Sequence, residues 1–407
     1  MTVQHPGTNL DGVKDYNEAV VFDVVRRRGP ISRRRIADTS GLTFQTVSNI
    51  TQRLMRSGDI EEAPDTAGSG TRRSRTYRAN EDAAYAVGVH LDRSTLSLVL
   101  MNVSARVLAS AKTAVAPSDG PGVVLPLIEG LVRQLVEEAD VSWERVLGAG
   151  IGVPGPLDRE VGRLLQVPNF EGWENFALRQ ELEELLSLPV TLDSDTTAAA
   201  LGEKWGGLGV NVPNFVYVYL GVGIGAGIVA DDRACHGRGG NTGQIGHVQI
   251  DPNGPPCFCG KRGCLEVYAT PWAILREARQ AVLDMEPLGA NRSPAWPAKF
   301  EDVVSSEDPL FEGVVRRAGD RLGAAVSGLV AILDPELVVL GGPATRLVGA
   351  PFKEAMERTL PISSMPNKPL PRVELSALDS DAAGPIGAAA LVLHDAYSPS
   401  VRRLSPS

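Results

Sequence analysis

The chain has 407 residues, 43% of them apolar and 22% charged, which is ordinary for a globular protein and leaves room for two or three domains. No apolar run reaches the roughly 20 residues of a membrane helix and no signal peptide is evident, so we expect a cytoplasmic protein without membrane contact. The net charge of −9 divides into −1 over residues 1–15, +5 over 16–80 and −13 over 81–407, so only the middle segment should meet an anionic partner.

The basic segment begins with three predicted helices. Valines recur at helical spacing over residues 20–25. Ser32 and Thr43 are placed to cap two further helices, and Ser40-Gly41 makes the turn between them. Three short helices with a glycine turn between the last two are typical of a helix-turn-helix.

The third helix and the stretch after it carry the side chains of a DNA-binding surface. A polar helix face is often only solvated, but here the helix order, the basic excess and an arginine-rich hairpin agree. The sequence therefore predicts a winged helix-turn-helix that binds a double-stranded DNA operator. The candidate contacts are Gln45, Thr46, Ser48, Asn49 and Arg53 on the helix, and Arg72, Arg73 and Arg75 on the wing.

Two strand-turn-strand patterns follow, at residues 84–103 and 215–230, each succeeded by a stretch of helical character. They predict two related α/β halves that face each other across a cleft. The second turn contains Gly-x-Gly-x-Gly, but a strand rather than a helix follows it, so it is not a dinucleotide fingerprint.

Between the two halves, a predicted strand runs into a helix at Asp195. Side chains at the carboxyl end of such a strand commonly bind ligands. Alternatively, Asp193 or Asp195 only caps the helix. Position alone leaves both interpretations open.

The sharpest motif combines His247, Cys257, Cys259 and Cys264 in a loop rich in glycine and proline. Thiolates and one imidazole suit tetrahedral zinc, and four protein ligands leave no position for water, so the site is predicted to be structural. A disulfide is disfavoured in a reducing compartment and by the Cys-x-Cys spacing, and simple buried thiols do not explain the loop. Cys235 is left over.

These motifs resemble the ROK family of repressors and sugar kinases, in particular its transcription regulators. The most specific stretches are GVGIGAGIVADDRACHGRGGNTGQIGHVQ and CFCGKRGCLE, supported by GVPGPLD, VPNFEGW, LDPELVVLGGP and GPIGAAAL. The resemblance implies an actin-like ATPase fold of two ribonuclease-H-like lobes behind the winged helix-turn-helix. The implied domains are 16–80 (DNA binding) and 81–395 (effector binding and dimerisation, with the zinc loop at 247–264), between flexible tails at 1–15 and 396–407.

The resemblance also assigns site residues. It implies that the zinc ligands are the four residues above and that Asp195, a catalytic base in the kinases, binds a sugar hydroxyl in the regulators. The implied sugar-binding set is Asn169, Ser194, Asp195, Gln244, His247 and Glu266.

Departures from the family pattern favour a regulator over an enzyme. Kinases of the family carry Asp-x-Gly-Gly-Thr where this chain has His90-Leu91-Asp92-Arg93-Ser94, so the phosphate-binding backbone is replaced by bulky side chains. Gln244 stands where the family has glutamate, and Ser194 where it has asparagine. The loss of one carboxylate suggests an anionic effector such as a sugar phosphate.

The resulting hypothesis is a sugar-responsive repressor of carbohydrate-metabolism genes, a homodimer or tetramer in which the degenerate kinase domain senses the sugar. Two alternatives stay open. One is an ATP-dependent sugar kinase that carries a DNA-binding head. The other is a regulator controlled by a protein partner, with a vestigial sugar pocket.

Overall fold

The computed structural model describes residues 10–64, 75–116, 118–167, 170–281, 300–301, 303–305, 309–363 and 369–399. Predicted contacts Arg72, Arg73 and Asn169 therefore lie outside the described residues. In the described part, no helix is long and apolar enough to cross a bilayer.

The N-terminal domain is a three-helix unit with a small sheet, which we call the head. Its elements are α1 (Leu10–Arg28), β1 (Ile31–Ser32), α2 (Arg33–Ser40), α3 (Phe44–Ser57), β2 (Ile60–Glu62) and β3 (Thr76–Ala79), with strand order β1-β3-β2. The two predicted caps are confirmed: Ser32 accepts a hydrogen bond from the Arg35 amide, and Thr43 accepts one from the Thr46 amide. Gly41, in the left-handed region at φ 71°, ends α2.

The next segment forms the first lobe. It contains β4 (Tyr85–Leu91), β5 (Thr95–Asn102), β6 (Val107–Ala114), α4 (Pro121–Glu138), β7 (Val146–Val153), β8 (Leu157–Asp158), β9 (Arg163–Leu164), α5 (Leu178–Leu186), β10 (Val190–Ser194) and α6 (Asp195–Gly206). The five-stranded sheet has the order β10-β7-β4-β5-β6, in which β4, β5 and β6 are antiparallel neighbours and β4, β7 and β10 run parallel.

The second lobe repeats this topology. It contains β11 (Phe215–Leu220), β12 (Ile224–Ala230), β13 (Arg233–Ala234), α7 (Glu266–Ala269), α8 (Pro271–Ala281), α9 (Pro309–Leu333), β14 (Leu337–Gly341), α10 (Thr345–Ser363) and β15 (Arg372–Leu375). The last helix, α11 (Ala383–Tyr397), returns to the first lobe and packs on β4 and β7. Its sheet order is β13-β12-β11-β14-β15, again three antiparallel strands followed by a parallel pair. The prediction of two related halves is confirmed.

Helices α6 and α11 lie at the centre, against each other and against the strands beside them. The contacts are made backbone to backbone at glycines: a Cβ on Gly88, Gly150 or Gly387 would collide with a carbonyl oxygen of Pro385, Ala388 or Ala198, respectively. We call these three positions the glycine seam. Because no side chain separates the elements, they are held at the shortest separation that the backbone allows.

Two sequence-based expectations differ from the structure. The tail predicted over 1–15 is wrong at its end, since α1 begins at Leu10, and α11 continues to Tyr397, past the predicted boundary at 395. The alternative that Asp193 or Asp195 caps α6 is also wrong. Ser194 is the N-cap, and its hydroxyl accepts the Thr197 amide, so Asp195 is left to face the cleft.

Candidate functional site

A cavity of about 300 Å³ lies between the lobes, at the carboxyl end of β10. Such an edge gathers ligand-binding groups because the parallel strands end there together. Every predicted sugar-binding residue that falls within the described part of the chain lines this cavity: Ser194, Asp195, Gln244, His247 and Glu266.

Asp195 is the first residue of α6, and one of its carboxylate oxygens accepts the Thr196 amide at 2.7 Å. Burial, together with the nearby charge of Asp92, raises the pKa of Asp195 to about 7. The carboxyl can therefore exist in its protonated or its ionised form near neutral pH. It can donate a hydrogen bond to a ligand oxygen or accept one from a ligand hydroxyl.

The four predicted zinc ligands come together beside the cavity. Their donor atoms lie within 4.8 Å of one another, with 3.6 Å between the sulfurs of Cys259 and Cys264 and 3.6 Å from Cys257 Sγ to His247 Nδ1. A tetrahedral site with Zn–S bonds of about 2.3 Å needs sulfur separations of about 3.8 Å, so this donor set fits a zinc ion. It does not fit a disulfide, whose sulfurs are about 2 Å apart.

The thiol pKa values in the cluster are shifted in both directions. For Cys259, burial is outweighed by hydrogen bonds with the Lys261 amide and the neighbouring thiols, which lower its pKa. Burial and hydrogen bonds with its neighbouring thiols raise the pKa of Cys264 to about 12, and burial also raises the pKa of Cys257. A divalent cation would displace these protons and stabilise the thiolates. Cys235 is a free cysteine outside the cluster.

The metal cluster shares one wall with the cavity. His247 turns Nδ1 toward Cys257, while its Nε2 lies 3.8 Å from a carboxylate oxygen of Glu266. Phe258, between two of the cysteines, packs its ring edge-to-face on His247 at 4.9 Å and lines the cavity. A metal ion in this cluster would fix the loop, and through it the side chains facing the ligand. Sequence reasoning missed Phe258, although an apolar residue between two predicted metal ligands is an available signal.

A histidine near the end of β4 packs against α11. His90 is buried, and its ring lies against Gly384 in the first turn of α11, where a Cβ would come within 2.6 Å of the imidazole. The imidazole therefore fills the space beside the first turn of α11. Asp92 and Arg93 line the cavity instead.

Hydrogen bonds join the two lobes at one side of the cleft. The side-chain amide of Asn241 bonds both backbone groups of Leu157, accepting its N–H at 3.0 Å and donating to its carbonyl at 2.9 Å. Nearby, the fully buried Asp193 accepts hydrogen bonds from Arg159 and His236, each at 2.8 Å. These contacts join segments 34 to 84 residues apart, a distance at which local patterns carry no signal.

The predicted DNA-contacting residues of the head differ in exposure and in the side chains that they bind. Gln45 and Asn49 are exposed and hydrogen-bond each other at 3.2 Å, and Thr46 bonds Thr43. Ser48 is half-buried, and Arg53 forms an ion pair with Glu18 of α1 at 2.8 Å. On the wing, Arg75 lies 3.0 Å from Glu62 and is largely exposed.

The head packs directly on the ends of α6 and α11. Arg26 of α1 stacks over the ring of Trp205 at 3.9 Å and donates a hydrogen bond to the Trp205 carbonyl at 2.7 Å. Phe22 stacks on Tyr397 with 4.4 Å between ring centroids. Since α6 begins at Asp195 in the cavity and ends beneath Arg26, one helix touches both the ligand cleft and the head.

The two duplicated lobes, the cleft between them and the winged helix define an actin-like ATPase fold joined to a helix-turn-helix. The ROK family model matches residues 86–395, and the chain belongs to the ROK family.

Two relatives are similar in sequence over nearly the whole chain. The xylose repressor of Caldicellulosiruptor bescii is 29% identical over 393 residues, covering 95% of this chain and 97% of its own. The DNA-binding transcriptional dual regulator NagC of Escherichia coli K12 is 29% identical over 391 residues, with 94% of each chain covered.

Two solved structures match the chain over different shares of its length. A ROK family transcriptional regulator described as a homolog of the E. coli MLC protein has a TM-score of 0.78 and 28% identity, and covers 96% of this chain and 98% of its own. A ROK family glucokinase from Streptomyces griseus in complex with glucose and AMPPNP has a TM-score of 0.64 and 27% identity. It covers 76% of this chain and 99% of its own.

Proposed function

We propose that this protein is a sugar-responsive, DNA-binding transcription regulator, a repressor of carbohydrate-metabolism genes. The observation that carries the proposal is the packing of a winged helix-turn-helix on the far end of α6, the helix whose first residue lines the ligand cleft. Full-length similarity to a xylose repressor and to NagC supports it.

In this proposal the effector is a sugar or sugar phosphate held by Ser194, Asp195, Gln244, His247 and Glu266. Asp195 and Glu266 exchange hydrogen bonds with its hydroxyl groups, and Arg93 lines the same cavity beside Asp195. A structural zinc ion bound by His247, Cys257, Cys259 and Cys264 supplies rigidity to the pocket wall and no chemistry. In this proposal the kinase activity of the family is lost, because His90-Leu91-Asp92-Arg93-Ser94 stands where the family's kinases have Asp-x-Gly-Gly-Thr.

The protein acts as a homo-oligomer, so that two heads meet the two halves of a pseudo-palindromic operator. Effector binding shifts the balance between two arrangements of lobes and head, and it changes operator affinity only to the extent that it prefers one of them.

The test is a footprint of the purified protein on its own upstream DNA, at fixed salt, with and without paired neutral and phosphorylated sugars. We expect a protected site whose occupancy one of these compounds changes. A site that no sugar alters would favour control by a protein partner.

The enzyme alternative rests on Asp195, which keeps the place of a catalytic base in the cavity. It is tested by ADP release across hexoses and amino sugars. Turnover that Asp195→Asn abolishes would replace the regulator proposal with a sugar kinase.

A further inference from the structure

One aromatic side chain on the head is exposed without a role in the head's core. Phe44 is the first residue of α3 and is 58% exposed. Among the described residues, Phe258 is the only other aromatic side chain of comparable exposure, and it lines the cleft. The buried face of α3 is made further along, by Val47, Ile50 and Leu54. Phe44 thus contributes little to folding and leaves apolar surface in water.

The surroundings of Phe44 indicate what covers it. It borders a groove lined by Arg34, Ala37 and Asp38 of α2 and by Gly41 and Leu42 of the turn. Arg34 and the adjacent Arg35 are exposed, and neither forms an ion pair within the described part of the chain. With one carboxylate against two guanidinium groups, this surface is apolar in the middle and basic at its edge.

These features match the major groove of DNA better than a protein surface. In a helix-turn-helix, the first residues of the recognition helix contact base edges, and Phe44 occupies the first position of α3. Thymine exposes the only methyl group in that groove, and phenylalanine is a side chain that contacts it. The polar Gln45 and Asn49 follow on the same helix, and the free arginines suit the flanking phosphates.

We propose that Phe44 contacts the 5-methyl group of a thymine in each operator half-site, with Arg34 and Arg35 on the phosphates beside it. This inference rests on the proposed DNA-binding function and adds a specific base to it. Burying one methyl group corresponds to about a fourfold gain in affinity, so two symmetric half-sites give about fifteenfold.

The experiment starts from random-sequence duplex DNA selected by the full-length protein and, separately, by Phe44→Ala. The unsubstituted protein is expected to select thymine at one position of each half-site, and the variant to lose that preference alone. In the selected duplex, replacing these two thymines by deoxyuridine removes only the methyl groups. Affinity should fall about fifteenfold for the unsubstituted protein and stay unchanged for Phe44→Ala.

Met55→Ala is the matched control, because Met55 is also an exposed apolar residue of α3, at its opposite end. It should discriminate thymine from deoxyuridine as the unsubstituted protein does. Equal discrimination by the unsubstituted protein and Phe44→Ala, or none by either, overturns the inference while leaving DNA binding intact. Failure to select any duplex refutes the proposed function itself, and the inference with it.

Discussion

Asp195 and its surroundings decide the chemistry of the cleft. Its pKa, raised to about 7 by burial and by Asp92, lies well above the value near 4 of an aspartate in an unfolded chain. Between these two values the folded protein holds a proton that the unfolded chain has lost. The free energy of unfolding therefore falls as the pH rises from about 4 to about 7. Above that range, the loss of stability caused by Asp195 stays constant.

We predict that Asp195→Asn removes this cost. The variant should gain stability relative to the unsubstituted protein between pH 4 and pH 7, by up to roughly 1.4 kcal/mol per pH unit, with a plateau above pH 7. Urea unfolding of both proteins across pH 5 to 8 in the absence of sugar measures the difference. A difference that does not vary with pH would contradict the raised pKa of Asp195.

The cysteines allow a predicted metal ligand to be compared with a cysteine outside the cluster. Cys264 is fully buried in the His247 cluster, whereas Cys235 is a free cysteine elsewhere. Cys264→Ser should abolish binding of one zinc per chain and lower Tm by several degrees, because metal binding to the folded state contributes to its stability. Cys235→Ser should retain the metal. Elemental analysis and thermal unfolding provide the two readouts. One zinc per chain in Cys264→Ser would show that Cys264 is not a required ligand.

Among the elements, α6 contacts the cleft, α11 and the head. Its first turn faces the cleft, its middle packs on α11 at the glycine seam, and its last residues support the head through Trp205. A displacement of α6 by a bound effector therefore reaches α1 without an intervening loop. Energetic coupling of the two sites requires such a shared element with two arrangements.

We predict that Arg26→Ala weakens this coupling. The variant loses the stacking on Trp205 and the hydrogen bond to its carbonyl, so operator affinity should respond less to the effector than the 5- to 150-fold typical of allosteric proteins. Operator affinity is measured with and without the sugar identified by footprinting. Arg28→Ala is the control, since Arg28 lies in the same last turn, is exposed, and hydrogen-bonds Thr39 of α2 at 3.5 Å. A full response in Arg26→Ala would exclude this route.

Whether a feature could be predicted from the sequence depends on how far apart in the chain the residues that form it lie. The caps at Ser32 and Thr43, the two strand pairs and the cysteine cluster were predictable because each is made by residues close together in the chain. The Arg26–Trp205 contact spans 179 residues, and only the folded chain reveals it. The sequence analysis did not select Phe44 and Phe258 as functional residues, because an apolar residue is assigned to the core by default, whereas both are exposed.

At the scale of the whole molecule, the charge asymmetry coincides with the division between head and lobes. The basic residues 16–80 belong to the head, while residues 81–407 carry a net charge of −13. An acidic body repels DNA, so it restricts phosphate contacts to the head and helps to orient the approach.

Salt dependence tests this separation. Replacing Arg75 of the wing by alanine should reduce the slope of log affinity against log salt concentration by about 0.9, the value for one phosphate contact. Arg316→Ala, an exposed arginine of α9 in the second lobe, should leave the slope unchanged. Operator binding titrated between 50 and 200 mM salt provides the slopes, and an unaltered slope in Arg75→Ala would remove the wing residue from the phosphate contacts.

The glycine seam has a consequence for how the lobes move. Where backbone packs on backbone, sliding and compression are restricted, since the space left at each glycine would not hold even one methyl group. We therefore expect rotation about the seam to be the motion that remains. A small closure at the Asp195 end of α6 would then produce a tilt at its Trp205 end, by an amount set by where along the helix the seam lies.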